Sequence, residues 1–397
     1  MEIAGIIIGA VALISGLYFG IRSLRSKVPP ELKRDIEKIK TQLDNISLYV
    51  DGLPKTKDKN KKALFEKGMS LMAKYKYEDA IDSFRECLAL GSDGSEKSAL
   101  LLLIGNCLHA QSKWDQALGE WKEALYTAEE AGDEKAKATS LGNLGLVYQD
   151  KGEWDRATEF YNKDLEINRK LGDEYGMAQP FNNLASVYLL KGEWDKAIEF
   201  YNKSLKINEK IGDDHGIAQV FNNLGLVYYY KGERNKAIEL YNKSLRISTK
   251  IGAEYGIAKI FNNLGLVHNA KREWNKAIEL YNKSLKIYEK TGDEYAMAQT
   301  FNNLGAVYQD KGDRDKAIEF HNKSLKIYEK IGDEHWMAKT KAGIGILYKE
   351  QGKKEEARKL LEESLRTLER IGDKPNAEIV REHLSAMGRS RSSGEDL

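Results

Sequence analysis

Two adjacent asparagines recur every forty residues through the middle of this chain. The first of each pair is Asn182, Asn222, Asn262 or Asn302, and the second is Asn183, Asn223, Asn263 or Asn303. An amide side chain both donates and accepts hydrogen bonds, so it can bridge the backbone N–H and C=O groups of a peptide whatever side chains that peptide carries. A periodic row of amides therefore favours recognition of an extended peptide. The alternative is that one or both rows brace neighbouring helices and meet no ligand.

No other set of side chains has the spacing of a chemical site. The six histidines are scattered, without an HExxH motif, and no nucleophile motif or phosphate-binding loop after a strand is found. We therefore predict no catalytic residue, no metal ligand and no cofactor, and we expect that the protein is not an enzyme. The two cysteines, Cys87 and Cys107, lack CxxC spacing and are expected to be small buried side chains.

Charged residues make up 31% of the 397-residue chain, but the formal net charge is only +2. A protein that binds nucleic acid normally shows a marked basic excess. Nucleic acid is therefore not an expected partner.

The asparagine pairs belong to a forty-residue unit with two helical apolar patterns. In one unit the first pattern is Phe221, Leu224, Val227 and Tyr228, and the second is Ala237, Ile238, Tyr241, Leu245 and Ile247. Gly232 and Gly252 follow the two patterns, where a left-handed residue commonly ends a helix. A fixed period of this length indicates a stack of helix pairs, in which Gly225 is expected to face Ala237. Aspartates that suit helix N-caps follow the second break: Asp173, Asp213, Asp293 and Asp333.

This pattern resembles the tetratricopeptide repeat. The residues that carry the resemblance in one unit are Phe221, Leu224, Gly225, Tyr228, Ala237 and Tyr241. The same sequence pattern recurs in five consecutive units over residues 141–340. With weaker units on both sides, we expect about eight helix pairs. A C-terminal cap helix is expected at residues 375–387. The period is forty rather than about 34 residues, so the units are most similar to the long repeats of kinesin light chains and the Pins/LGN adaptors. The resemblance implies an all-α solenoid, a right-handed superhelix.

In tetratricopeptide repeats the first helix of each pair lines a concave groove, and in the long-repeat relatives an asparagine ladder holds the backbone of a bound peptide. Carried over by position, the resemblance implies a peptide-binding site made of both asparagine rows and five further residues: Gln219, Leu226, Tyr229, Tyr230 and Lys259. The ladder fails at Gly142 and again at Ala342 and Gly343, so a ligand is expected on the central units. A carboxylate clamp of the kind that grips chaperone tails is not supported.

Residues 3–21 contain no charged side chain. At about 1.5 Å per residue, a helix of this length spans about 28 Å, close to the hydrocarbon thickness of about 30 Å. A cleaved signal peptide would carry positive charge before its apolar segment, whereas Glu2 precedes this one and Arg22, Arg25 and Lys27 follow it. We therefore predict a single transmembrane helix at residues 1–22, with the amino terminus outside and the repeats in the cytoplasm.

Residues 23–62 form a basic segment between the predicted anchor and the repeats. Apolar residues recur in it with heptad spacing: Leu32, Ile36, Ile39, Leu43, Ile46 and Val50. We expect either a short coiled-coil helix that supports a homo-oligomer through residues 32–50 or a single amphipathic spacer helix, and then a flexible linker up to residue 62. The repeat array is assigned to residues 63–387, and a disordered tail to residues 388–397.

These features predict a membrane-anchored scaffold that binds an extended peptide or protein segment in the groove of its repeat array. One alternative is a peptide-sensing regulator whose superhelix tightens or opens on binding. Another is a self-assembling structural membrane protein.

Overall fold

The computed structural model describes residues 59–72, 76–111 and 113–388, which form seventeen α-helices and no β-strand. The helices are α1 (Lys59–Met72), α2 (Tyr77–Ala89), α3 (Gly94–Ala110), α4 (Trp114–Glu130), α5 (Glu134–Asp150), α6 (Trp154–Leu171), α7 (Glu174–Leu190), α8 (Trp194–Ile211), α9 (Asp214–Tyr230), α10 (Arg234–Ile251), α11 (Glu254–Ala270), α12 (Trp274–Thr291), α13 (Glu294–Asp310), α14 (Arg314–Ile331), α15 (Glu334–Glu350), α16 (Lys354–Ile371) and α17 (Lys374–Gly388).

Several predicted segments lie outside the described residues. These are the transmembrane helix at residues 1–22, the heptad helix at residues 32–50 and the tail from residue 389. Among the helices that the structure does describe, none is both long enough and apolar enough to cross a membrane.

The helices pack as eight successive pairs, from α1–α2 to α15–α16, which we number units 1 to 8. Each helix packs most extensively against the other helix of its unit and less extensively against the next unit. The final helix, α17, covers the exposed side of unit 8. This arrangement confirms the prediction of an all-helical solenoid, because each unit buries its apolar face only against its neighbours.

The turns between helices follow the signals in the sequence. Gly232 and Gly252 end the two helices of unit 5 with φ angles of 81° and 73°, in the left-handed region that favours glycine. Arg272 takes the place of the first of these glycines in unit 6 and keeps a φ of 60°. The aspartate N-caps are confirmed: the side chains of Asp173, Asp213, Asp293 and Asp333 each accept a hydrogen bond from a backbone N–H of the helix that follows.

The close approach of the two helices in a unit rests on a glycine against an aromatic ring. A Cβ atom on Gly225 would lie 2.7 Å from Cε1 of buried Tyr241. The ring of Tyr241 takes the space that Gly225 leaves free, a contact that the expected pairing of Gly225 with Ala237 did not include. Equivalent contacts join Gly145 to Tyr161, Gly265 to Tyr281 and Gly305 to His321.

The array begins before its predicted first residue, 63. Helix α1 starts at Lys59, within the segment assigned to a flexible linker. Lys61 is buried, and its ammonium group lies 2.5 Å from a carboxylate oxygen of Glu96 and 3.2 Å from the hydroxyl of Ser92. This pairing holds a lysine inside the first helix although its lysine-rich surroundings are typical of a linker. At the other end, α17 extends one residue beyond the predicted limit, to Gly388.

The two cysteines lie in the core of units 1 and 2. Both are fully buried, and burial raises the pKa of Cys87 to about 11 and that of Cys107 to about 12. The prediction that they are small buried side chains is confirmed.

Candidate functional site

The first helices of successive units lie side by side and form one wall of the stack. In the series α3, α5, α7, α9, α11 and α13, each helix contacts the next. Second helices make no contacts of this extent with one another among the described residues. Because alternate helices touch only where a curved stack is most compressed, this wall is the concave side of the solenoid. We call it the groove wall.

The predicted site residues on α9 and α11 differ in their exposure to solvent. Gln219 and Lys259, near the starts of these helices, are exposed, and so is Tyr230 at the end of α9. Leu226 and Tyr229 are half-buried. The structure therefore brings these five residues to one surface, on two neighbouring helices.

An apolar patch lies at the ends of α7 and α9. Its members are Leu189, Leu190, Tyr229 and Tyr230, and the two tyrosine rings meet edge-on, with centroids 5.4 Å apart. Amide and acidic residues occupy the same positions in units 3 and 7: Gln149, Asp150, Gln309 and Asp310. The patch is thus confined to units 4 and 5, near the middle of the stack. Rigid aromatic and aliphatic surface of this kind suits the apolar side chains of a ligand.

The two asparagine rows are joined to each other across the units. Nδ2 of Asn223 donates a hydrogen bond to Oδ1 of Asn182, 3.1 Å away in the preceding unit. The same bond joins Asn263 to Asn222 at 2.8 Å and Asn303 to Asn262 at 3.0 Å. Asn182 and Asn222 are only 6% and 5% exposed. The contacts in the structure are therefore those of braces between successive first helices, the alternative role of these rows.

The series of braces changes at both ends. Unit 3 has Gly142 at the position of the first asparagine row and so offers no amide to Asn183. Oδ1 of Asn183 instead accepts a hydrogen bond from Nε2 of Gln179 in its own helix, 3.0 Å away. At the other end, Nδ2 of Asn302 lies 3.0 Å from Oγ1 of Thr340, and its Oδ1 lies 2.9 Å from Nδ1 of His321. The braces between the two rows therefore span units 4 to 7.

The stack curls enough to bring distant units within electrostatic range of each other. Burial, followed by the negative charges of Asp333 and Asp150, raises the pKa of Tyr295. Asp150 ends α5 in unit 3, whereas Tyr295 lies at the start of α13 in unit 7. Units 3 and 7 therefore face each other across the groove at this level.

Lys259 lies on the groove wall, on α11. Its side chain is exposed to solvent, yet desolvation by the surrounding protein lowers its pKa.

A row of tyrosines at the starts of the first helices is absent from the sequence prediction. Its members, Tyr175, Tyr255 and Tyr295, are exposed, and the last two pack edge-on against Tyr288 and Tyr328. The sequence signal that could have identified this row is the recurrence of a tyrosine directly after a glutamate, in register with the forty-residue repeat.

Comparison with known proteins supplies the family. A sequence profile described as tetratricopeptide repeat matches residues 96–170, 176–250, 256–330 and 296–370. The protein therefore belongs to the tetratricopeptide repeat family, as the sequence predicted. No curated protein matches the chain.

Solved structures share the fold at low sequence identity. The apo form of the quorum sensor NprR from B. thuringiensis is 17% identical, with a TM-score of 0.58, over 85% of this chain and 98% of that one. A Rap protein complexed with competence and sporulation factor is 14% identical, with a TM-score of 0.55, over 83% and 98%. The APC/C hetero-tetramer Cut9-Hcn1 is 18% identical, with a TM-score of 0.54, over 84% and 57%.

Proposed function

We propose that this protein is a scaffold that captures an extended peptide or protein segment along its groove wall. The observation that carries the proposal is the apolar patch on α7 and α9, which lies on the groove wall rather than in the core. Tyr230 is 57% exposed and Leu190 is 49% exposed. Gln219 and the neutral amides near them can donate to and accept from a peptide backbone. The site needs no metal or cofactor to perform this function.

The asparagine rows support such a site even though they brace the helices. Each Oδ1 that receives one brace keeps a second lone pair, so it can also accept a hydrogen bond from a peptide N–H. The braces hold the amides in fixed orientations before a ligand arrives, which reduces the entropy lost on binding. We therefore keep both rows in the proposed site as fixed amides, with Asn262 and Asn302 less buried than Asn182 and Asn222.

Capture from a library of twelve-residue peptides by the full chain tests the proposal. The double variant Leu190→Ala and Tyr230→Ala should lose at least tenfold in enrichment, because it removes the exposed apolar patch. The matched control is Leu90→Ala and Tyr126→Ala, which removes the same two side chain types at 50% and 64% exposure, away from the first helices. Equal enrichment by wild type and the groove variant, with equal melting temperatures, would contradict the proposal.

We further propose that residues 1–22 anchor the scaffold in a membrane as a single span, with the amino terminus outside and the repeats in the cytoplasm. The support is the uncharged run at residues 3–21 and the positive charges that follow it. Ser393→Cys provides a labelling site near the carboxyl end, while the native Cys87 and Cys107 are fully buried. A membrane-impermeant maleimide should label this variant only after cells are permeabilised. Labelling of intact cells would refute the orientation.

A peptide-sensing regulator is the second candidate function. It is favoured by the fold shared with a quorum sensor and with a Rap protein bound to competence and sporulation factor. In that case, binding should change the distance between units 3 and 7, which face each other across the groove. Small-angle scattering with and without a captured peptide measures this change, and an unaltered radius of gyration favours the plain scaffold.

A further inference from the structure

An aromatic ring stands at the second position of the first helix in each of units 4 to 8. These residues, which we call the aromatic row, are Tyr175, His215, Tyr255, Tyr295 and His335. The three tyrosines are 54%, 46% and 39% exposed, and the two histidines are half-buried. Units 2 and 3 carry Ser95 and Lys135 at the same position, so the row begins at unit 4.

The row lies on the groove wall, one helical turn before a row of hydrogen-bond donors. Residues four apart share one face of a helix, so each ring lies beside the side chain four positions later. Those side chains are Gln179, Gln219, Lys259, Gln299 and Lys339. An amide and an ammonium group differ in charge, but both donate through N–H. Each of these units therefore offers a ring and a donor at the same edge of the groove.

The rings of units 6 and 7 are held in place by buried tyrosines. Tyr255 packs edge-on against Tyr288, and Tyr295 packs edge-on against Tyr328, with ring centroids 5.9 Å apart in both pairs. Tyr288 and Tyr328 are only 3% and 0% exposed. Two rings on neighbouring units are thus oriented before a ligand arrives, which reduces the entropy lost on binding.

The charges beside these rings are balanced. An acidic residue precedes each ring, and in units 4 to 7 it forms an ion pair with a lysine of the second helix of its own unit. The pairs are Glu174 with Lys210, Asp214 with Lys250, Glu254 with Lys290 and Glu294 with Lys330. In unit 8 the ring of His335 is itself bonded to Asp373, 2.9 Å away. The rings of units 4 to 7 therefore suit an uncharged ligand.

The spacing of the rings selects the conformation of that ligand. Side chains of successive first helices meet directly, as where Asn263 donates to Asn222 at 2.8 Å, and helices in such contact lie about 8–10 Å apart. A polyproline II helix has three residues per turn and rises about 3.1 Å per residue, so it presents the same face every ~9.3 Å. A β-strand presents the same face every ~7 Å. One ring per unit therefore matches one polyproline II turn per unit.

We propose that the aromatic row binds a segment of the captured peptide in the polyproline II conformation, with a proline at every third residue against a ring. This inference rests on the proposed function and specifies its ligand as a proline-rich segment. The donor row fits the same ligand, because proline has no backbone N–H and a polyproline II backbone leaves its carbonyl groups free to accept. Aromatic grooves recognise such segments because their conformation is already formed in solution.

Two fluorescent twelve-residue peptides test the proposal against the full chain. Both contain four prolines, with alanine and glutamine at the other positions. The first peptide has proline at every third position, and the second has proline at every second position, so that no two of its prolines are three residues apart. Fluorescence anisotropy should show roughly tenfold tighter binding of the first peptide to wild type, because only it can place prolines on two neighbouring rings.

Variants of the ring pair identify the contact. Tyr255→Ser with Tyr295→Ser installs the residue that unit 2 carries at this position and should remove the preference between the peptides. Tyr255→Phe with Tyr295→Phe keeps both rings and should retain it. The matched control is Tyr126→Ser, which removes a tyrosine that is 64% exposed on a second helix. A circular dichroism melt verifies that each variant is folded.

Equal binding of the two peptides by wild type, or binding of neither, overturns this inference without reference to any variant. A folded serine variant that keeps the preference, or a folded phenylalanine variant that loses it, overturns it as well. The proposed function is judged separately, because capture from the random library depends on Leu190 and Tyr230 at the opposite ends of the first helices.

Discussion

Units 3 and 5 have the same pair of helices and fill the same interior space in different ways. Unit 5 has Asn222 on its first helix and Ser244 on its second, and the Ser244 hydroxyl donates to the backbone carbonyl of Ala218, 2.7 Å away. Unit 3 has Gly142 and Asp164 at these positions. A Cβ on Gly142 would lie 2.9 Å from Oδ2 of Asp164, so the longer side chain occupies the space that the glycine leaves.

In units 3 and 5 the two side chains fill one space together, whereas unit 8 keeps the serine, Ser364, opposite Ala342. An asparagine with a serine gives a brace to the next unit, whereas a glycine with an aspartate ends the series of braces and buries a carboxyl group. Nδ2 of Asn168 donates to Asp164 at 2.6 Å, but burial dominates and raises the pKa of Asp164 to about 8. The end of the braces is therefore also a site at which the stability of the array depends on pH.

Replacement of Asp164 by serine, the residue of unit 5, should have the largest effect. The folded-state pKa of about 8 lies above the value of about 3.9 for an unfolded aspartate. The protonated carboxyl group thus contributes stability below about pH 4, and that contribution is lost as the pH rises through about 8. Between pH 5 and pH 7, wild type should lose about 3 kcal/mol of unfolding free energy relative to Asp164→Ser.

Urea unfolding at both pH values, followed by far-ultraviolet circular dichroism, measures this difference. Asp164→Asn keeps the shape of the side chain but cannot titrate, so it should follow the serine variant. A free-energy difference that is equal at pH 5 and pH 7 would show that the carboxyl group is not held protonated.

Unit 7 departs from unit 5 in the opposite sense, because His321 replaces the tyrosine that packs on the glycine. Burial lowers the pKa of His321 to about 4, below the value of about 6.5 for an unfolded histidine. The neutral ring contributes stability above about pH 6.5, and that contribution is lost as the pH falls through about 4. His321→Tyr should therefore gain about 2 kcal/mol relative to wild type between pH 7 and pH 5, read from the same unfolding curves. A gain at higher pH instead would be the wrong sign for this explanation.

A double-mutant cycle tests whether Gly142 and Asp164 are coupled. Gly142→Asn alone should destabilise the protein by about 2 kcal/mol, because its Cβ overpacks against Asp164. In the background of Asp164→Ser, which restores the pairing of unit 5, the same change should be close to neutral. The cycle is measured by urea unfolding at pH 5, and additive free energies would mean that the two positions do not share one space.

The smallest predicted difference concerns two asparagines of the same row. Asn223→Ala removes a brace and leaves Oδ1 of Asn182 without its donor, which should destabilise the protein by about 1 kcal/mol. Asn183→Ala removes only a hydrogen bond within its own exposed helix face and should cost a few tenths of a kcal/mol. Thermal melts of the two variants compare them directly, and equal losses would indicate that the brace contributes nothing beyond the local bond.

Much of the fold follows from the forty-residue period, whereas the partners of individual residues do not. The alternation of apolar positions, Gly232, Gly252 and the aspartate caps mark where helices begin and end, and these predictions hold. The contact of Gly225 with Tyr241 could not be read in the same way, because periodicity identifies buried residues but not their neighbours across a helix pair. The same is true of Lys61, whose burial depends on Glu96 in another unit.

The candidate site also has features that the repeat period predicts and features that it does not. The composition of the groove wall, including Tyr230 and Lys259, follows from the position of each residue in the repeat. The braces could not be predicted in this way. Each brace joins a first-row asparagine of one unit to a second-row asparagine of the next unit, and the angle between the units decides which of these side chains come within hydrogen-bond distance. For this reason, variants of Asn222 or Asn262 test stability and ligand capture at the same time, while Leu190 and Tyr230 separate them.

The braces also bear on how such an array grows. Each joins residues 41 positions apart, so every central unit carries a donor for the unit before it and an acceptor for the unit after it. A tandem copy of one unit, inserted between two others, therefore already contains the donor and the acceptor asparagines, and it can form both braces without further substitution. Lengthening by whole copies would extend the groove wall in steps of one helix, and the length of chain that the groove holds would be set by gene duplication rather than by point mutation.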